Sequence, residues 1–509
     1  MTPLKPGRGE FDDLVASGCR VIPVWTEIVS DGETPISAYA KLGTSEPSFL
    51  FESAEQNDHV GRFSFLGVGT RLTITARGHE VTIGENGLTQ THTSTTDPFR
   101  DLEDIMARFP AHRNPALPAF VGGAVGYLAY DAVRWFEPTV PAPPPDPLGV
   151  PDMFFMLADR VLVFDHKRRR LILVVNAFLD DGNPAEVYAR AASEIDQMLE
   201  ALARPLAFPP VFASPPTDMP EPQVVSNTAR EEYFDMILRA QEYIRAGDIF
   251  QIVPAQRFEV PFSGHPLELY RMLRFINPSP YMFCLRCPGG FSLVGSSPEV
   301  HVRLTDRLVE IRPIAGTRRR GVTPEEDAAN AADLLADPKE RAEHLMLVDL
   351  ARNDVGRIAD FGSVRVSEFM TVERYSHVMH IVSHVSGHLA GDRNAYDVMR
   401  ATFPAGTVSG SPKVRAMQII NKLEKNKRCT YAGAVGYFGF DGNLDSCIAL
   451  RTILLKDGKA FIQAGGGVVA DSSPEGEYQE SVNKAMAAVR AVARAGMHTS
   501  SSPFIIPQT

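Results

Sequence analysis

Long apolar runs are missing from this chain. No stretch reaches the ~18 consecutive apolar residues that a membrane-spanning helix requires, so no span is expected. Cysteine is scarce: Cys19, Cys284, Cys287, Cys429 and Cys447 are all there are in 509 residues, which excludes a dense disulfide framework. The pair Cys284-Leu-Arg-Cys287 has no second pair and no following His, and it sits in a run, YMFCLRC, that reads as a strand. It is read as structural rather than as a metal or redox motif. No block of Lys and Arg offsets the net charge of −11, which argues against a nucleic-acid partner. No repeat of fixed period is present. The opening MTPLKPGRGEFDDL has no apolar core of a secretory leader, so the cytoplasm is the expected compartment.

Hydrophobic content of 44% and charged content of 22% are those of a globular protein. The length allows about two or three domains. Two proline-rich stretches punctuate the chain. The first, Pro138 to Pro151, lies inside a β-rich half and reads as a long loop. The second, from about Pro205 to Pro222, reads as a boundary. We therefore divide the chain into 1–205, a linker at 206–225, and 226–509. The first part carries strand runs (RLTITAR, HEVTIG, RVLVFDH, RLILVVNAF) and ends in a helix from Pro184 to about Ala203. The second opens with a helix whose start fits a capping box, Thr228 to Glu231, whose face carries Tyr233, Ile237, Ala240 and Ile244, and whose stop is Gly247. Strands are expected in IFQIVPAQRFEV, SLVGSS, VHVRLTD, RLVEIRP, 430–438, 446–455 and 460–464. Helices are expected at 338–351, 411–425 and from Pro474. The regular alternation of a doubly wound sheet is lacking, so the class is mixed α/β with mainly antiparallel strands.

Chemistry enters through a repeated spacing. Asp337-Pro338 starts one helix, with Glu340 and Glu343 three apart; Ser473-Pro474 starts another, with Glu477 and Glu480 three apart. Residues i and i+3 share a helix face. Two such faces brought together would repel or take up protons unless a hard cation such as Mg²⁺ joined them; apart, they are two ordinary charged surfaces. A second signal is Gly465-Gly466-Gly467, between a strand and the second of these helices. It either brings backbone N–H groups to an anion or is a flexible connector. A third is a set of polar residues among apolar neighbours: Gln251 in a strand with Val253 and Ala255 on its face, Glu299 after Gly-Ser-Ser-Pro, His380 and Arg451. Each alone could be a satisfied core group; together in one half they suggest a pocket.

At these residues the sequence resembles the chorismate-utilising enzymes, and within them the anthranilate synthase large subunits. The phrases are GDIFQIVPAQRF, INPSPYMF, GSSPE, RPIAGTRRRG, KERAEHLMLVDLARND, YSHVMHIVS, FPAGTVSGSPK, YAGAVGYF, ALRT, QAGGGVVADS and EYQESVNKA, in order through 247–485, with FLFESAE and FVGGAVGYLAYD in the first part. TVSGSPK departs slightly, since Ser411 often reads Ala in the family. The resemblance implies a two-part sandwich of mainly antiparallel β-sheets with outer helices. It implies Mg²⁺ held by Glu343 and Glu480, supported by Glu340 and Glu477. It places Glu299, as general acid, with His380 and Thr317 in a catalytic set. Chorismate would be bound by Thr407, Tyr431, Arg451, Gly465, Gly466, Gly467, Lys484 and Gln251.

Within the family, aminodeoxychorismate synthases carry a nucleophilic Lys where this chain has Ala315. Isochorismate and salicylate synthases carry a water-activating Lys where it has Gln251. Ammonia is then the expected nucleophile. None of the five cysteines sits in the Gly-x-Cys-x-Gly setting of a glutaminase, so a separate glutamine amidotransferase small subunit is the expected partner. L-Tryptophan is expected as feedback inhibitor, bound between the two parts by Glu52, Ser53, Asn277, Pro278, Tyr281 and Met282. The other readings are an aminodeoxychorismate synthase or other chorismate enzyme, and a non-catalytic tryptophan-sensing subunit.

Overall fold

The structure is a computed structural model that describes residues 3–43, 45–53, 61–206, 222, 224–375 and 378–501. The stretch taken as a linker, 206–225, lies largely outside these, and the last two residues of FLFESAE, Ala54 and Glu55, lie wholly outside them. Two large antiparallel sheets dominate. Among the described residues the first has eleven strands, running from Val21–Val29 at one edge through Arg170–Phe178, Arg160–Asp165, Phe63–Gly67, Ser48–Glu52, Tyr281–Cys287, Phe291–Ser297, Thr452–Lys456, Lys459–Gly465 and Ala255–Pro261 to Val225–Ser226. The second has twelve. Its order includes Ile314–Arg319, Val378–His388, Leu308–Ile311, Val300–Thr305, Leu444–Ile448, Ala434–Gly439, Gly123–Leu128 and Met153–Ala158. Both sheets are shared by strands from either side of 206–225, one contiguous block from each, and the blocks meet at one seam per sheet: Phe51 pairs with Phe283, and Gly126 with Gly436.

The period of two along each strand builds three cores. On Arg160–Asp165, Val161 and Val163 face the second sheet, while Leu162 and Phe164 face outer helices. On Met153–Ala158, Phe154 and Met156 turn inward and Met153, Phe155 and Leu157 outward. The inward sets of both sheets form a dry layer with Trp25, Phe120 and Tyr437. Helices Pro184–Leu202, Pro266–Ile276 and Pro474–Ser501 cover the outer face of the first sheet, and Pro98–Ala107, Pro338–Gly356 and Ala395–Thr402 that of the second. Each fully buried Val, Leu, Ile or Phe contributes about 1.5–3 kcal/mol, which makes this layering the source of stability. Cys284 and Cys287 illustrate the strand period: three residues apart, they face opposite sides, Cys284 the outer core and Cys287 the inter-sheet core.

Several expected elements are shifted. The first helix of the second part begins at Arg230, with Ala229 as N-cap and Glu232 accepting the Ala229 N–H at 2.9 Å, one residue later than the expected box. Gly247 ends it at φ +81°. The run IFQIVPAQRFEV breaks at Pro254, which lacks an N–H. Gln251–Ile252 pairs with Gly410–Ser411, so Gln251 does not share a strand face with Ala255. The run 446–455 is two strands in two different sheets, Leu444–Ile448 and Thr452–Lys456. The strand expected at 430–438 starts only at Ala434, after a turn in which Cys429 and Ala432 have φ of +54° and +62°. The 138–151 stretch is a loop docked on helix Lys413–Leu423 and the turn that follows, through Gln418 and Asn421 to Thr139 O and Ala142 O and through the Lys427 N–H to Pro145 O. Among the described residues no helix is long and apolar enough to cross a membrane.

Candidate functional site

The site is built where the two sheets exchange strands. Phe291–Ser297 and Thr452–Lys456 are neighbours in the first sheet, and Val300–Thr305 and Leu444–Ile448 are neighbours in the second. Both connections are short, and they run side by side. Glu299 lies in one and Arg451 in the other. The Ile448 N–H donates to Glu299 O at 3.1 Å, the Ser296 N–H to Arg451 O at 3.2 Å, and the Ser297 hydroxyl to Ile448 O at 2.6 Å. Arg451 takes φ +47°, a left-handed conformation unusual for a non-glycine residue, to make the crossing. Its guanidinium makes no hydrogen bond or ion pair among the described residues, and burial lowers its pKa, opposed by the Glu299 carboxylate. Burial raises Glu299 to about 7, against the lowering influence of the Thr407 hydroxyl, Lys484 and Arg451.

From this crossing a closed circuit of contacts can be traced. Lys484, on helix Pro474–Ser501, ion-pairs with Glu480 at 2.7 Å and donates to Gly465 O at 3.1 Å. A Cβ on Gly466 would collide with the Glu477 carboxylate, and one on Gly467 would stand 2.5 Å from Gln251 Nε2. The glycine run is therefore needed for close approach rather than for positive φ. Gln251 Nε2 donates to Glu343 Oε1 at 3.3 Å. Burial raises the Glu343 pKa; Gln251 opposes this, while Glu340 and Glu480 add to it. Burial also raises Glu477, with Ser472 opposing and Glu480 adding. Its Oε2 is buried and has no hydrogen-bond partner among the described residues.

Glu340 Oε2 would be 3.1 Å from a Cβ on Gly316, and Arg318 pairs with Glu340 Oε1 at 3.1 Å. Gly316, at φ +66°, forms a bulge between Ala315 and Thr317. The bulge aims its carbonyl at His380 Nδ1, 2.8 Å away, and Thr317 Oγ1 is 3.1 Å from the same nitrogen. A carbonyl only accepts, so Nδ1 carries the proton and Nε2 is left for other work. Burial lowers the His380 pKa; Gly316 O opposes this and Arg451 adds to it, which closes the circuit.

The four glutamates are thus brought to facing walls, although among the described residues no three His, Cys, Asp or Glu side chains gather at metal-binding spacing. The raised pKa values of Glu343 and Glu477, each due to burial first with Glu480 adding, and the Glu477 Oε2 without a partner among the described residues are what a carboxylate set built for a cation would display. The residues fit a hard divalent ion. Tyr431 lies beside this ring in the 429–433 turn, its phenol pushed by burial up to about 12 and its ring 5.5 Å from the Arg428 guanidinium.

Sequence reasoning missed Glu424 and Arg428. This buried pair holds the site's segments together. Arg428 Nη1 donates to Val408 O at 2.7 Å and Nη2 to Val253 O at 2.5 Å, while Glu424 Oε1 accepts from Arg428 Nη2 at 2.6 Å and from the Ala255 N–H at 2.9 Å. The i, i+4 spacing was visible but resembles a surface pair.

A second, larger cavity of about 910 Å³ lies at the far end of the first sheet. Glu52, Ser53 and Pro278 line it, with Arg271, Arg274 and His166. Tyr270 donates to Glu52 Oε2 at 2.5 Å, and Arg274 Nε is 3.6 Å from the same oxygen. The three other residues named with Glu52, Ser53 and Pro278 from the sequence, Asn277, Tyr281 and Met282, do not line this cavity. Tyr281 turns to the inter-sheet side and donates to Asp445 at 2.9 Å, Met282 is core beside Glu52 on the paired strand, and Asn277 donates to Ser296 Oγ at 3.1 Å.

A family model described as chorismate binding enzyme matches residues 46–490. The chain is similar to anthranilate synthase component 1 of Pseudomonas aeruginosa, 45% identical over 489 residues, 96% of this chain and 99% of that protein. The Aquifex aeolicus protein of the same name is 47% identical over 474 residues, 93% of this chain and 94% of that one. Among solved structures, anthranilate synthase component I from Streptococcus pneumoniae aligns with a TM-score of 0.73 at 36% identity, covering 91% of this chain and 99% of that chain. The menaquinone-specific isochorismate synthase from Escherichia coli shares the fold at 18% identity and a TM-score of 0.67, covering 95% and 98%.

Proposed function

The chain belongs to the chorismate binding enzyme family, and from that premise we propose that it is the large subunit of an anthranilate synthase, converting chorismate and ammonia to anthranilate and pyruvate. The observation that carries this reading is the pairing at the strand crossing: an Arg451 guanidinium with no partner among the described residues, beside a Glu299 carboxyl raised to about 7. The first suits a substrate carboxylate. The second keeps a proton to give near neutral pH. Ala315 is buried and cannot form a covalent adduct, and Gln251 is a neutral amide bonded to Glu343, so neither offers the lysine chemistry of the sister activities.

In this mechanism Arg451 receives the pyruvyl carboxylate, assisted by Tyr431, Lys484 and the backbone of Gly465, Gly466 and Gly467. Thr407 orients the ring. Glu299 gives its proton to the C4 hydroxyl as ammonia adds at C2. His380, its Nδ1–H anchored on Gly316 O with Thr317 alongside, uses Nε2 to move a proton at the ring when the enolpyruvyl arm leaves as pyruvate. Mg²⁺ would be held by Glu343 and Glu480, with Glu340 and Glu477 in support, and supplies positive charge for the ring carboxylate. The activity classes as a carbon–oxygen lyase.

Component 1 relatives imply a component 2, and we assign the ammonia supply to a glutamine amidotransferase small subunit. We assign residues 1–205 a regulatory role and 226–509 the catalytic one, with tryptophan bound in the 910 Å³ cavity at Glu52, Ser53 and Pro278. Cytoplasmic placement accords with the absence of disulfide and membrane signals in the sequence. The test is product identity. The purified chain with chorismate, Mg²⁺ and excess ammonium should give anthranilate and pyruvate in equal amounts. Aminodeoxychorismate, isochorismate or salicylate would overturn the reading.

A further inference from the structure

Behind Glu299, against helix Pro338–Gly356, lies a small cavity of about 30 Å³. Leu347, Ala351 and Ile311 give it apolar walls, and Glu299, His301, Thr407 and Asp354 give it polar ones. Asp354 is already paired with Lys413 at 2.7 Å. Two other polar atoms are not satisfied. Thr407 Oγ1 and His301 Nε2 are shielded from solvent and have no partner at hydrogen-bond geometry among the described residues, although the Glu299 carboxyl and the Thr402 backbone are near enough to interact with them. The His301 ring is 3% exposed, and its Nδ1 is engaged with Ser446 Oγ at 3.2 Å. Burial lowers its pKa to about 3, with Lys413 adding and Thr402 opposing, so the ring is neutral at working pH. A buried polar atom left unpaired costs about 1–3 kcal/mol. A polar site of more than about 10–15 Å³ with two to four partners is what one internal water needs.

The general acid of the proposed reaction therefore forms one wall of a small cavity in which two further polar atoms, Thr407 Oγ1 and His301 Nε2, lack a well-formed hydrogen bond. We infer that this cavity is the receptacle for the hydroxyl that leaves the substrate, holding it as one water between Thr407, His301 and Glu299. The inference rests on the reading of Glu299 as the acid toward the C4 hydroxyl. The step balances without an oxidant or reductant. The Glu299 carboxyl proton passes to the C4 oxygen. The C4–O bond breaks with its electron pair on that oxygen, and water results. The lone pair of ammonia forms the C2–N bond as the ring double bonds shift, and the proton lost from that nitrogen restores Glu299.

Ala351→Val fills the chamber from its apolar side without touching Glu299, Thr407 or His301. With saturating Mg²⁺ and ammonium, kcat should fall at least tenfold, while the Kd for chorismate without ammonium and the KM for ammonium change less than twofold. A rise in the KM for ammonium at unchanged kcat would overturn the inference in favour of an ammonia-entry site, and no change in either would overturn it outright. If the valine variant does not fold, a crystal structure of the wild-type chain decides: an ordered water bonded to Thr407 Oγ1 and His301 Nε2 is expected, and a dry cavity contradicts it. Wild-type enzyme that makes no anthranilate would instead refute the proposed function.

Discussion

Arg428→Met tests whether one buried ion pair organises the site. The Arg428 and Glu424 side chains are 2% and 5% exposed, so neither charge is screened by water. Removing the guanidinium strands the Glu424 carboxylate and takes a donor from each of two buried carbonyls, Val408 O and Val253 O. Breaking a buried pair at one end costs about 3–5 kcal/mol, which is a large share of the roughly 5–15 kcal/mol that holds a typical protein folded. The two carbonyls raise rather than lower that figure. Methionine keeps most of the volume, so the loss is electrostatic. Replacing both partners, Arg428→Met with Glu424→Leu, should recover about half, because an apolar pair carries no stranded charge. Urea unfolding followed by far-UV circular dichroism measures both. A single variant within about 1 kcal/mol of wild type, the range of a surface pair, would mean that the pair does not hold these segments, as would a double variant no more stable than the single. Below the unfolding transition, kcat/KM for chorismate should fall at least tenfold, since Val408 and Val253 adjoin Thr407 and the Gln251 strand.

Glu299→Gln keeps the shape and loses the proton; kcat should drop about 10²–10⁴-fold, the range for a general acid, with chorismate Kd nearly unchanged by fluorescence titration. The acid form is the active one, and the folded pKa is raised to about 7, so kcat/KM, corrected for the free-ammonia fraction, should be flat below that pH and fall with unit slope above it. A profile rising through pH 7 to 8 after that correction contradicts the assignment. Glu343→Ala or Glu480→Ala should abolish Mg²⁺-dependent turnover and weaken Mg²⁺ binding by calorimetry; retained binding removes these residues from the ligand set. Ser53→Phe, which fills part of the larger cavity, should raise the tryptophan concentration for half-inhibition at least tenfold without changing kcat, and unchanged inhibition would place the effector elsewhere.

The paired glutamates were legible because their signal is local: a Pro-started helix and a spacing of three place Glu340 with Glu343, and Glu477 with Glu480, on one face. The polar residues Gln251, Glu299, His380 and Arg451 stood out against apolar neighbours for the same reason. What joins them was not legible. The 446–455 run has no Gly or Pro to mark its break, and Arg451 itself supplies the left-handed residue there. Which sheet each half enters depends on pairings with strands more than a hundred residues away. Likewise, nothing local announces that Ser48–Glu52 lies against Tyr281–Cys287, although both phrases were singled out. Glu424 and Arg428 look like a solvated helix pair until tertiary packing buries them, and only the larger cavity's geometry brings in Arg271 and Arg274 and leaves out Asn277, Tyr281 and Met282.

On the proposed function, chorismate binds at the strand crossing of Glu299 and Arg451. A crystal structure of Glu299→Gln with Mg²⁺ and chorismate decides this. The enolpyruvyl carboxylate should lie against Arg451 and Tyr431, with the ring carboxylate toward Glu343 and Glu480. Chorismate seated anywhere else, the 910 Å³ cavity beside Glu52 included, would contradict it.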